Sequence, residues 1–216
     1  MKNLRFLFGL LVPPLFCLSL QALEIESQIQ NVNLVTFYGR IGEGDSQKLK
    51  SILDSKINGS LNTLFLVNCQ GGQFDEGPAL IKVINEFQAG QIASGKLVAS
   101  YVGELSECAS LCTVMFMNFQ YRLLAPGARF GFHAPNYFGL PMVDEIKQLR
   151  EMYRQASVAR KNEKFPAWLK KYPSLLEESD LVWFTGEKLI AENAGVSSSE
   201  KMFPSQENAI TYLVSF

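Results

Sequence analysis

The chain has 216 residues, 47% hydrophobic and 19% charged, with a formal net charge of −1. That length suits one domain able to bury a sizeable core without disulfides or metals, and the balance excludes a disordered chain. Lys and Arg are scattered and form no basic stripe, so nucleic acid is not an expected partner.

The first stretch differs in kind from the rest. Met1 to Arg5 carries two positive charges, Phe6 to Leu20 is almost wholly apolar around Pro13-Pro14, and Gln21-Ala22 leads into Glu24-Ile25-Glu26. This is the layout of a secretory signal peptide, with cleavage expected after Ala22. Residues 1–22 are then the leader and residues 23–216 the mature domain, periplasmic or secreted. The alternative is an uncleaved signal that anchors the chain in the membrane, although the short run and the proline pair suit a spanning helix poorly. Cys17 leaves with the leader, so Cys69, Cys108 and Cys112 remain. If one helical turn holds Cys108 and Cys112, their spacing lies near the upper end of disulfide reach, and an oxidising compartment would allow the bridge. The equal reading is three small buried hydrophobes. A lone histidine and no Cys-x-x-Cys leave too few ligands for zinc, and no cofactor is expected.

Asn33 to Tyr38 reads as a strand ended by Gly39, and Ser46 to Ser55 as a helix with Leu49, Ile52 and Leu53 on one face. Leu61 to Val67 is a continuous apolar run, the pattern of a strand covered on both faces in a parallel sheet. Gly71-Gly72 follows. A helix is expected from about Glu76 to Phe87, then a buried strand from Leu97 to Val102. Leu111 to Phe119 is apolar nearly all round and reads as a core helix. Short strands follow at 122–124 and 128–132, then a charged helix from Met142 to about Lys164 with Ile146, Leu149, Met152 and Tyr153 as its apolar stripe. Pro166 and Pro173 bracket a piece carrying Trp168. Thr185 opens a last helix through Asn193, with Gly195 as its cap, and Ala209 to Val214 suggests a final strand. Strands alternating with helices argue for an α/β fold with a mainly parallel sheet.

Three stretches carry candidate chemistry: Asn68-Cys69-Gln70-Gly71-Gly72, Glu107-Cys108-Ala109-Ser110-Leu111-Cys112-Thr113, and Arg129-Phe130-Gly131-Phe132-His133-Ala134-Pro135. A serine hydroxyl becomes a nucleophile when a neighbouring base takes its proton, and His133 is the only histidine. Ser110 opens a helix, so the Leu111 N–H is free to meet a developing oxyanion, and glycine at 71 and 72 lets backbone N–H groups approach a ligand. Each piece alone has an ordinary structural reading: a cap, a core histidine, a turn. Ser106, Cys108 and Cys112 are the other candidate nucleophiles.

In this order the pieces resemble the Clp protease proteolytic subunit within the Clp protease/crotonase superfamily. They are most similar to an exported bacterial branch with a Gly-Gly loop, a Cys-x-Ser-x-Cys core and a Gly-Phe-His-x-Pro segment. The resemblance covers roughly residues 34 to 196. It implies a single-domain spiral of ββα units rather than a doubly wound sheet. It makes Ser110 the nucleophile and His133 the general base, with the N–H groups of Gly72 and Leu111 as the oxyanion hole and Gly71 shaping the loop. Asp180 becomes the candidate third member, with Glu178 close enough to compete, and a Ser–His dyad stays open. It also implies a homo-oligomer assembled through the helical arm from Met142 to Lys164. The function expected is an exported serine hydrolase, an ATP-independent peptidase acting on peptide or protein substrates. No ATPase partner is expected, because an exported enzyme lacks ATP and the chain has no Gly-Lys-Ser/Thr phosphate loop. The alternative is a catalytically inactive binding or assembly module on the same fold. Crotonase-type thioester chemistry is disfavoured by the Ser–His pair and by export.

Overall fold

The computed structural model describes residues 24–137 and 140–216, and the leader read in residues 1–22 lies outside them. Strand β1 (Glu24–Ile29) turns back on β2 (Asn33–Ile41) as an antiparallel pair, followed by helix α1 (Asp45–Lys56). Next come β3 (Thr63–Gly72), α2 (Gly77–Ala93), β4 (Val98–Val102), β5 (Glu107–Ala109) and α3 (Leu111–Met117). They are followed by β6 (Tyr121–Leu124), β7 (Arg129–Phe132) and a small hairpin of β8 (Asn136–Tyr137) and β9 (Leu140–Pro141). The rest comprises α4 (Val143–Ala159), α5 (Lys164–Leu169), β10 (Val182–Thr185), α6 (Gly186–Ala191) and α7 (Gln206–Val214).

β3 organises the sheet because it has two sets of partners on one side. Its first half, Thr63 to Leu66, pairs in parallel with β4, whereas Cys69 further along pairs with Cys108 of β5. β4 continues to β6 and β5 to β7, both in parallel. The sheet therefore forks at β3, and β4–β5–α3 and β6–β7–α4 are successive ββα turns of a spiral. This is the α/β architecture expected from the sequence. The buried apolar run of β3 follows from its place between β2 and these two partners.

Helix α3 lies at the centre, and every residue from Leu111 to Met117 is buried, as its all-round apolar sequence requires. A second core group gathers on Phe132 at the end of β7. Its ring lies 5.6 Å from Trp168, 6.0 Å from Phe184, 6.3 Å from Phe165 and 6.4 Å from Tyr153. Strand β7 is thereby pinned to α4, α5 and β10 one residue before His133.

One element departs from the sequence expectation at the C-terminus. The segment read as a strand from Ala209 to Val214 is helix α7, so α6 is not the last helix. The Ser205 hydroxyl caps α7 by accepting from the Asn208 N–H at 3.3 Å, and Ala209 and Leu213, one helical turn apart, form its buried face. The antiparallel edge strands β1 and β10 had no distinct signal, since β1 has only Ile25 and Ile29 apolar and β10 is only four residues long.

Removing the ring at the centre of the second group should open a cavity that the surrounding aromatics cannot close. Phe132→Ala is expected to cost about 3–5 kcal/mol, read from the midpoint of urea denaturation at unchanged slope.

Candidate active site

Ser110 joins β5 to α3 with φ 55° and ψ −128°, a conformation that side-chain-bearing residues rarely adopt. Such a residue costs about 1–3 kcal/mol and persists only where its surroundings over-determine it. Here they do. The Ser110 N–H donates to the Gly131 carbonyl at 2.8 Å. The Ser110 carbonyl accepts from the Thr113 N–H at 2.9 Å and from Thr113 Oγ1 at 2.6 Å. Thr113 Oγ1 is bonded in turn to the Tyr153 hydroxyl on α4. A half-buried serine is thus presented on a strained strand-to-helix turn, the geometry of a nucleophile elbow.

The glycine pair passes directly against this turn. Gly71 has φ +80°, and a Cβ there would lie 2.7 Å from Ser110 Cβ, 2.9 Å from the Ala109 carbonyl oxygen and 3.3 Å from the Leu111 nitrogen. A Cβ on Gly72 would lie 2.0 Å from the Ile41 carbonyl oxygen. Both positions exclude any side chain, so the loop lies beside the first N–H of α3, which has no helical carbonyl to meet.

His133 follows β7, the parallel neighbour of β5, and the pairing of Ala109 with Gly131 carries it to the same place. A cleft of about 500 Å³ is lined by Ser110, Gly72, His133, Arg40, Glu107 and Asn136, among others. Burial pushes the His133 pKa below its ordinary value and the Arg40 charge adds to this, while the Ala134 carbonyl opposes it. The ring is therefore neutral at pH 7, as a base must be. Ser110 and His133 share the cleft without a hydrogen bond between them.

Neither of the expected third members bonds to the ring. Asp180 is exposed and makes no hydrogen bond to His133, and Glu178 meets the histidine segment only through its carbonyl, which accepts from the Ala134 N–H at 2.7 Å. The side chain beside the ring is Asn136, whose Nδ2 lies 3.4 Å from His133 Nδ1 and 3.4 Å from the Ala134 carbonyl oxygen. Nothing in the sequence marked it beyond its place three residues after His133.

Of the two readings of the cysteines, the structure has the unbridged one. Cys69, Cys108 and Cys112 are free and fully buried beneath the elbow. Cys108 belongs to β5 and Cys112 to α3, with the sharp turn at Ser110 between them, so no single helical turn holds both. The Cys112 thiol is hydrogen-bonded to both others, and burial pushes all three well into the protonated range at pH 7, which leaves them poor nucleophiles.

Two glycine substitutions separate the close approach from ordinary helix propensity. Gly71→Ala is expected to cost about 1–3 kcal/mol, whereas Gly90→Ala within α2, where a new Cβ meets nothing within 4 Å, should gain up to about 1 kcal/mol. Chemical denaturation of both variants reads the difference.

No protein-family model matches the sequence, and no curated protein matches it. Solved structures do. Enoyl-CoA hydratase from Bacillus halodurans superposes with a TM-score of 0.53 at 14% identity, covering 88% of this chain and 80% of that one. The ClpP protease catalytic domain from Plasmodium falciparum superposes with a TM-score of 0.52 at 16% identity, covering 81% of this chain and 88% of that one. These likenesses establish a Clp protease/crotonase-like fold. One neighbour is a hydratase and the other a protease, so the fold leaves the chemistry to the residues in the cleft.

Proposed function

We propose that this chain is a serine hydrolase of the peptidase type that works without ATP or a cofactor. The observation that carries the reading is the strained turn that presents Ser110 to a cleft shared with Gly72 and a neutral His133. His133 takes the Ser110 Oγ proton as Oγ attacks the substrate carbonyl carbon, and the carbonyl π pair moves onto its oxygen. The Leu111 and Gly72 N–H groups receive that oxyanion, where each donor is worth about 10²–10³ in rate. Collapse of the intermediate expels the amine, which takes its proton from His133. Water then repeats the sequence on the acyl-enzyme. Bound substrate draws Ser110 and His133 into contact, since catalytic hydrogen bonds commonly tighten only in the complex. The Ala134 carbonyl, which accepts from the ring, orients it in place of a carboxylate. The leader-like start of the chain supports action outside the cytoplasm. Val143 and Val158, both exposed near the ends of α4, support assembly of copies through that arm.

A binding module without turnover is the second reading, favoured by the exposed position of Asp180 and by the missing Ser110–His133 hydrogen bond. Labelling with a fluorophosphonate decides between them. The wild-type chain is expected to form an adduct mapped to Ser110. Ser110→Ala should abolish it, and His133→Ala should slow it by about 10²-fold or more. A folded wild type that stays unlabelled with and without reductant hands the case to the binding module.

The pH profile tests the base. Protonation of His133 removes it, and its pKa is lowered, so labelling should hold steady as pH falls through 6.5 and decline only below. Asn136→Asp places a carboxylate beside the ring, favours the imidazolium and should move that decline to higher pH.

A further inference from the structure

Arg40 stands where the β2–β3 ladder slips. The strands pair in parallel as far as Gly39 opposite Cys69 and resume at Ile41 opposite Gly72, so the register shifts around Arg40. Between these pairs β2 has one residue, Arg40, and β3 has two, Gln70 and Gly71, so the extra residue belongs to β3 at the glycine loop. Such bulges are frequent beside active sites. The next residue is clamped to the glycine loop, because the Ile41 carbonyl accepts from the Gln73 N–H at 2.9 Å. Arg40, opposite that extra residue, lines the cleft that holds Ser110 and His133.

Among the described residues its charge has no partner there. Arg40 makes no ion pair or hydrogen bond with any described residue. The carboxylate in the same cleft, Glu107, is already engaged: Arg129 Nη1 donates to it at 2.7 Å and Gln70 Nε2 at 3.0 Å. The uncompensated charge facing a substrate is therefore positive. A guanidinium in that position offers a planar fork matched to a carboxylate.

Resting on the hydrolase reading of the same site, we propose that Arg40 is its specificity-determining residue and that the substrate is a peptide carrying a carboxylate close to the bond cleaved. That carboxylate is either an acidic side chain or a free C-terminus. The charge that Arg40 projects onto His133 supports this placement, and a bound carboxylate would offset it as the base is needed.

Binding to the full chain carrying Ser110→Ala tests this without turnover. Three fluorescent peptides of matched sequence are compared by anisotropy: one with Glu and an amidated C-terminus, one with Gln and an amidated C-terminus, and one with Gln and a free C-terminus. One of the two carboxylate peptides is expected to bind about tenfold more tightly than the neutral one, and which of them does so identifies the source of the carboxylate. Adding Arg40→Gln should erase the preference, Arg40→Glu should invert it, and Arg40→Lys should keep part of it. Equal binding of all three peptides, a preference that survives Arg40→Gln, or binding of none overturns the proposal. Fluorophosphonate labelling of the wild type reports the hydrolase reading separately. Charge-dependent binding without labelling removes the hydrolase and keeps the recognition by Arg40, and labelling with charge-blind binding does the reverse.

Discussion

The site depends on one constrained peptide unit, the turn at Ser110. Left to itself the backbone there would relax into an ordinary helical or extended conformation, and the hydroxyl would swing away from the cleft. Three elements prevent this. The Gly131 carbonyl on β7 holds the Ser110 N–H, Thr113 on α3 holds its carbonyl, and Tyr153 on α4 holds Thr113. The phenol is buried and its pKa is pushed far up, so the link stays uncharged at any ordinary pH. Strain of a few kcal/mol at most is thus balanced by buried hydrogen bonds that no solvent competes for.

The forked sheet makes this balance possible. Because β3 pairs with β4 along its first half and with β5 at its far end, the glycine pair finishes β3 alongside the turn that follows β5. The same β5–β7 pairing that supplies the Gly131 carbonyl delivers His133 from the next strand. The aromatic group around Phe132 then anchors that strand from behind. Core packing and site geometry are therefore one construction, and a loss in the first is felt in the second.

Electrostatically the cleft is divided. Its lining keeps a histidine neutral by burial and carries one carboxylate engaged by Arg129 and one guanidinium with no partner among the described residues, while the three buried thiols lie outside that lining and stay protonated. Partial burial strengthens each charge and dipole there relative to open water. That a hydratase and a protease share this backbone shape places the distinction between chemistries in such details.

Much of the scaffold was legible in the residues because burial leaves a local pattern. The unbroken apolar run before Asn68 marked a doubly covered strand, the apolar Leu111 to Met117 marked a central helix, and Gly71-Gly72 marked a place with no room for side chains. The order of glycine pair, serine and histidine along the chain named the group that would meet. Local pattern misled where two elements share one signal: Ala209 to Val214 is a short, mostly apolar run that suits a strand, and its Ser205 cap and the four-residue spacing of Ala209 and Leu213 belong to a helix. It misled again at Cys108 and Cys112, whose spacing assumed a continuous helical turn that the backbone at Ser110 interrupts. Which residue stands beside His133, that Asp180 is exposed, and that Arg40 lines the cleft opposite a bulge in β3 were decided by tertiary structure alone. Those facts depend on contacts between segments far apart in the chain and on a single-residue slip in register, and neither leaves a periodic trace in the sequence.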